Sequence, residues 1–384
     1  MPLLADTQIV AEIPVNPEVL KWARTVRGLS VEQAATLLDI SPSDLRAYEA
    51  GRRPLVGFLR QMSAKYRINF TSLLMPEPLP IQERPTDHRT NRGERPLSID
   101  TLIAIEEVSE SLDAFVEIAG ETKSIVPTLR IGHANLDEDP ESVAARERRR
   151  FGIGVEDQRL FHSIGQARRA WRQEIEDHGV FTYMIPMPPS ELSGFSMLRD
   201  GLAAICVNDR EPTEGRKIFT FFHEYCHLLL RQTGISDENN HNRVERFCNQ
   251  FAASFLIPKA DLLLAIGNIV TPYEFSDSDV TRLSNRFRVS NSAVALRLQE
   301  TGLAPAGFYA RRTGPWDIPT EAKPRPQDSS PSAVTLRIKR IGKLHTRTVL
   351  RATKRHVINS FDASDLIGLQ LQPQTLAKLQ ERVG

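Results

Sequence analysis

Cysteine is scarce in this chain of 384 residues: there are three, Cys206, Cys226 and Cys248. An odd number confined to one stretch is not a disulfide framework, which excludes the small cross-linked secreted scaffolds. Long apolar runs are lacking too. No stretch approaches the roughly 20 apolar residues of a membrane-spanning helix, so no membrane partner is expected. The opening residues, Met1-Pro2-Leu3-Leu4-Ala5-Asp6-Thr7, have neither a basic region nor an apolar core and do not read as a signal peptide. The expected location is the cytoplasm. Internal repeats are absent, and the net charge is only +1. What the chain does have is length and apolar content. Its 40% hydrophobic residues suffice for sizeable cores, and its length suggests two to three domains.

The most informative segment is His223-Glu224-Tyr225-Cys226-His227, flanked by Phe221-Phe222 and Leu228-Leu229-Leu230. The apolar flanks predict a buried helix. Two histidines four apart share one helical face, so both imidazoles can reach one metal ion. Glu224 is turned roughly 100° around the axis, where its carboxylate reaches a water beside the metal without binding the metal. Zinc brings the pKa of such a water to about 7, within range of a carboxylate base. The bland alternative is a helix whose histidines merely pack. Against it stands the cost of burying three polar side chains together without partners. A third ligand is also at hand. Val244, Phe247, Phe251 and Phe255 fall at helical spacing and Pro258 ends the run, predicting a second helix with Glu245 near its start. A polar loop, residues 231–242, is long enough to fold one helix against the other. Two histidines and a glutamate leave one position open, the pattern of a catalytic site. Cys226 and Cys248 lie close by in sequence, and the reading adopted is that they pack as small hydrophobes.

Phe219-Thr220-Phe221-Phe222-His223-Glu224-Tyr225-Cys226-His227 resembles the F-T-x-x-H-E-x-x-H helix of ImmA/IrrE metallopeptidases. The stretch from Glu245 through Cys248-Asn249 and Phe251-Ala252-Ala253 to Leu256 and Pro258 resembles that family's second signature. Residues 145–153, Trp171-Arg172, Gly179-Val180-Phe181 and Ile205-Cys206-Val207-Asn208 are similar to its lead-in, so the resemblance spans about 140–310. It implies Zn2+ held by His223, His227 and Glu245, with Glu224 as the catalytic base. Phe222, Tyr225, Cys226 and Cys248 depart from the family pattern, and none of them removes a ligand.

Residues 16–75 carry nine Lys or Arg against five Asp or Glu. Four short helices are legible: Pro17 to Arg27, a second capped by Ser30 with Gln33 three residues on, a third capped by Ser41 with Pro42 at its first position, and Val56 to Tyr66. Two helices joined by the tight turn Asp39-Ile40-Ser41 form a helix-turn-helix pattern, and residues 30–54 resemble the XRE/Cro-repressor family. The third helix is then expected in a DNA major groove, with Ser43, Asp44, Arg46 and Ala47 outward. Arg46 suits guanine, Ser43 a base or phosphate, and Gln33, Arg52 and Arg53 the phosphate backbone. Asp44 is awkward beside phosphate, and a docking or dimerisation module that no longer binds DNA is the alternative.

The expected organisation is multidomain α+β. An all-α helix-turn-helix domain (13–75) precedes a Pro-rich linker and bridging helix (76–139), the helix at 97–120. A mainly helical, zincin-like metallopeptidase domain with a small sheet follows (140–315), then a linker (316–333). The charge run 135–150 reads as a solvated helix face. The last segment, 334–384, has ten basic residues against three acidic. Alternation of Val334, Leu336 and Ile338 predicts a strand, Val349 to Ala352 a second, and 362–369 and 375–383 two helices, together a small basic α+β domain.

A substrate must lie extended to be cut, and Gly194-Phe195-Ser196-Met197-Leu198 is the candidate strand edge to pair with it, giving Gly194, Phe195 and Ser196 as substrate-binding residues. Tyr183, Tyr225, Asn249 and Arg199 are candidate transition-state stabilisers. Two functions follow. One is a zinc endopeptidase that cleaves a specific intracellular repressor or toxin, with DNA, its own promoter included, as a further partner and a homodimer as a possible assembly. The other is a transcriptional regulator or antitoxin whose metallopeptidase fold serves as a sensor or partner-binding platform.

Overall fold

The computed structural model describes residues 12–79, 97–231, 238–268, 270, 272–312 and 331–383. Among these, the residues up to Ile105 form one compact unit and those from Glu106 onward a second. Most of the two expected linkers, 76–96 and 316–333, lies outside the described residues, as does the middle of the 231–242 loop.

The first unit holds α1 (Pro17–Thr25), α2 (Val31–Leu38), α3 (Pro42–Glu49), α4 (Val56–Tyr66) and a 3₁₀ turn, Phe70–Leu74. Each early helix begins where a side chain satisfies its free N–H groups. Asn16 caps α1. Ser30 and Gln33 exchange hydrogen bonds ahead of α2, at 3.2 and 2.8 Å. Ser41 caps α3. Asp39, at φ 55°, takes the left-handed conformation that ends α2 and turns the chain into α3. Leu20, Ala23, Ala34, Leu38, Leu45, Leu59 and Met62 fill the core, and the fork of Arg24 on Glu49 (2.7 and 2.9 Å) ties α1 to α3.

Helix α5 (Ile99–Glu121) spans the expected bridging segment, and the division between units falls within it. The second unit continues with α6 (Pro140–Arg148), α7 (Val155–Leu160), α8 (Ile164–Asp177), β1 (Val180–Ile185), β2 (Gly194–Arg199) and β3 (Leu202–Asn208). Then come α9 (Glu214–Leu230), α10 (Glu238–Leu256), α11 (Lys259–Ile266), α12 (Asp277–Phe287) and α13 (Asn291–Glu300). The C-terminal segment holds α14 (Ala333–Lys354), α15 (Ser360–Ile367) and α16 (Pro373–Val383).

The sheet has the order β1-β3-β2, with β1 parallel and β2 antiparallel to the central β3. Alternation splits its side chains between two faces. Val180, Met184, Ala203, Ile205 and Val207 join the main core with Phe221, Phe222 and Tyr225 of α9 and Phe251 and Phe255 of α10. On the other face Phe181 stacks on Phe115 of α5 at 4.4 Å, and Tyr183 meets His345 of α14. A sheet covered on both sides explains why β1 and β3 are uniformly buried.

Four expectations need correction. The strands expected at 334–338 and 349–352 are absent: both stretches lie in α14, capped by Ser332. Three alternating apolar residues were too short a run to decide the period, since Val334, Ile338 and Ile341 also share a helical face. The segment is not a separate body either, because α14 packs on β1 within the second unit. The charge run 135–150 is not simply solvated. Glu147 is fully buried and accepts from the Tyr225 hydroxyl at 3.0 Å. Arg148 lies 5.3 Å from the Trp171 ring, and burial pushes its guanidinium down to about 10. Finally, Ala134 is part of the core, held by its N–H on Leu229 O at 3.0 Å, so the compact unit reaches back before residue 140.

Candidate metal centre and peptide groove

Helix α9 starts at the Thr213 cap, and all of its residues from Thr220 to Leu230 are buried. Helix α10 packs on α9: Val244, Phe247, Phe251 and Phe255 join the core, and Glu245 lies against His223 and His227 of α9. It begins at Glu238, earlier than the expected start near Val244. The result is a convergence of three side chains. His223 Nε2 and His227 Nε2 are 3.1 Å apart. Glu245 places Oε2 3.3 Å from His223 Nε2 and Oε1 3.2 Å from His227 Nε2. Among the described residues this is the one His/Cys/Asp/Glu group close enough to hold a metal ion.

Glu245 Oε1 is buried with no hydrogen-bond partner among the described residues, as suits a group that a cation completes. Asn249, four residues after Glu245 and therefore on the same face of α10, puts Oδ1 3.0 Å from His223 Nδ1. That contact fixes the ring so that Nε2 faces the cluster. Burial pushes the Glu245 carboxyl up, but the His223 and His227 rings beside it outweigh that and hold it well below the usual carboxylate range. The cysteines are outside the converging group, although Cys248 interacts with His227. Burial pushes the Cys206 and Cys248 thiols up.

Glu224 belongs to the same helix but not to the triad. Its Oε2 accepts from Ser196 Oγ at 3.2 Å. Ser196 is on β2, an edge strand whose only partner among the described residues is β3. Two residues earlier Gly194 brings β2 hard against α9. A Cβ there would lie 2.6 Å from Thr220 Cγ2, 2.7 Å from Cys206 O and 3.3 Å from Glu224 Cγ, so any larger residue would force the strand away. Phe195, the third expected substrate residue, lies between them on the opposite face of the pleat.

Beside the triad opens a cavity of about 660 Å³. Arg216, Phe219, Thr220 and His223 of α9 form one wall, Glu245, Arg246 and Asn249 of α10 a second, and Ala293, Leu296 and Glu300 of α13 a third.

The four expected transition-state stabilisers all have other engagements. Tyr225 bonds Glu147, Tyr183 bonds His345 at 3.0 Å, Arg199 pairs with Asp113, and Asn249 orients His223. Of these only Asn249 lines the cavity. Ser196 as a partner of Glu224 and Glu300 as a wall residue had no signal of their own in the sequence.

In the first unit Ser43 and Arg46 of α3 are exposed and Asp44 and Ala47 half-buried, and several of them are already engaged. Arg46 pairs with Glu32 at 2.7 Å. Arg52 pairs with Asp44 at 3.0 Å and lies 4.0 Å from the Tyr48 ring centre. The hydroxyls of Ser41 and Ser43 are 2.8 Å apart, and Gln33 serves the α2 cap. Arg53 is exposed. The Ser41 hydroxyl, then Arg52, hold the Asp44 carboxyl below the usual range.

Two family models match the chain. Residues 175–299 match the IrrE N-terminal-like domain of a peptidase family, and residues 20–73 match a helix-turn-helix domain. The chain joins an XRE-type helix-turn-helix domain to an IrrE N-terminal-like domain. The IrrE-like match contains both site helices, α9 and α10, together with the whole sheet. No curated protein matches the chain at a significant level. No described helix is long and apolar enough to cross a membrane.

Proposed function

We propose that the IrrE-like domain is a zinc-dependent endopeptidase that cuts a specific intracellular regulatory protein of repressor or toxin type, and that the helix-turn-helix domain binds DNA, its own promoter included. One observation carries the reading: Glu224, which is not among the triad donors, sits one residue from His223 and is held by Ser196 of an open strand edge. A purely structural metal site has no use for a carboxylate so placed.

Zinc suits the donors. Ligand distances of about 2.0–2.1 Å around a tetrahedral ion keep donor atoms about 3.3 Å apart, close to the 3.1 Å between the two Nε2 atoms, and the Glu245 carboxylate reaches one ring with each of its oxygens, at 3.3 and 3.2 Å. His223, His227 and Glu245 would hold the ion, which when bound supplies Lewis acidity towards a carbonyl and a water. The chain's own groups do the rest. An extended peptide adds to the free edge of β2 through backbone hydrogen bonds, with Gly194 allowing the strand to lie close to α9. Glu224 takes a proton from the attacking water and passes it to the departing amine. Ser196 holds the carboxylate in place between these transfers.

A second reading is supported by the attached DNA-binding domain: the chain acts as a regulator or antitoxin, with the IrrE-like domain as a sensor or docking platform. Glu224→Gln separates the two, since it removes the base and keeps size and metal ligands. The endopeptidase loses roughly 10²–10⁴-fold in cleavage rate while its zinc content, DNA binding and unfolding midpoint stay as they were. A cellular phenotype that survives Glu224→Gln and fails with His223→Ala sinks the endopeptidase reading and leaves the platform.

A further inference from the structure

One carboxyl in the cavity beside the triad has no role in the chemistry described above. Glu300 ends α13, and Ala293, Leu296 and Glu300 are spaced to share one face of that helix, the face that lines the cavity. Its Oε2 is shut off from solvent and has no hydrogen-bond partner among the described residues. Arg297, the cation that acts on it, is engaged elsewhere: its guanidinium donates to Ile257 O at 2.8 Å and to Glu141. Arg216, on the opposite wall, pairs with Glu211 at 2.8 Å. Burial therefore dominates and pushes the Glu300 carboxyl up to about 7, with Arg297 opposing and Glu141 assisting. A buried, unpartnered carboxyl oxygen is costly and is retained where something else completes it.

The surroundings say what that is. Helix α13 forms the wall that faces α9 and α10, and Ser193, next to the start of β2, lines the same cavity, so the cavity adjoins the strand edge on which the peptide is proposed to lie. Leu296 and Phe219 supply apolar surface, which suits a long aliphatic stem, with the acid at its far end. We propose that Glu300 forms the acidic end of a substrate subsite that takes a lysine or arginine side chain of the bound peptide. The proposal rests on peptide binding in the groove proposed above, but not on turnover.

The test uses the zinc-loaded, full-length Glu224→Gln chain to select from a displayed library of randomised peptides, so that binding is read without cleavage. The expected result is enrichment of Lys or Arg at one fixed position. Adding Glu300→Gln should reduce that enrichment by about tenfold or more, as expected for losing a charged hydrogen bond. Adding Glu300→Lys should turn the preference to Asp or Glu. Glu300→Gln keeps the shape of the side chain, and an unfolding midpoint at or above that of the parent shows the fold intact. Absence of basic enrichment, or its persistence in Glu300→Gln, overturns the subsite. The selected peptides are then offered to the wild-type chain. If they bind through Glu300 and are not cut, the endopeptidase reading fails while the subsite stands.

Discussion

Ser196 Oγ lies 3.2 Å from Glu224 Oε2, joining the open edge of the sheet to the helix that carries the histidine pair. The contact couples two tasks, because the residue that steadies the base is on the strand that would receive the peptide. Ser196→Ala should therefore lower the turnover of a cleaved peptide by about tenfold, the effect of one hydrogen bond to a charged group, with zinc content unchanged. Turnover equal to wild type would show that the hydroxyl does not act through Glu224.

The metal centre should hold about one zinc per chain. His223→Ala and Glu245→Ala should each abolish stoichiometric binding, as read by metal analysis of dialysed protein. Asn249→Ala leaves all three donors and removes the group that orients His223, so zinc affinity should fall by about 10–100-fold. Full zinc in both ligand variants would move the site elsewhere.

DNA binding by the helix-turn-helix domain should depend steeply on salt, because phosphate contacts release counterions. Arg46 must leave Glu32 to reach a base, but an exposed ion pair contributes only about 0–1 kcal/mol, so the exchange is easy. Arg46→Ala should relax sequence preference, and Arg52→Ala should weaken binding evenly across sequences. Gel shifts on the protein's own promoter, showing no binding at low salt, would leave the domain a docking module.

Gly342 breaks α14 at φ 81° and ψ 166°, a region open essentially to glycine alone. The break is spliced by α8: Arg172 donates to Lys339 O before it, and Glu176 accepts from the N–H groups of Lys343 and Leu344 after it, at 3.1 and 3.0 Å. A Cβ on Gly342 would lie 2.7 Å from Thr182 O and run into Glu176. Gly342→Ala should cost about 3 kcal/mol or more, measured by denaturant unfolding. A loss under 0.5 kcal/mol would show that the C-terminal helices are not anchored there.

The sequence by itself determined the local elements and picked out the three side chains that converge, His223, His227 and Glu245. Ser30 with Gln33, Ser41 with Pro42, and the spacing of Val244, Phe247, Phe251 and Phe255 set helix starts and faces through interactions that span a few residues. His223 and His227 share a face for the same reason, as helix geometry requires. Tertiary structure decided what depends on partners distant in the chain. Glu147 and Arg148 look like surface charges until Tyr225, Trp171 and Phe255 close over them. Val334, Leu336 and Ile338 alternate as a strand would, yet the stretch is helical: Val334 and Ile341, seven residues apart, are buried while Leu336 is exposed, which fits the helical period and not the alternate one. Ser196 and Glu300 gain their meaning only from packing: one meets Glu224 across 28 residues of chain, and the other faces α9 and α10 from a helix whose own sequence contains no sign of a site.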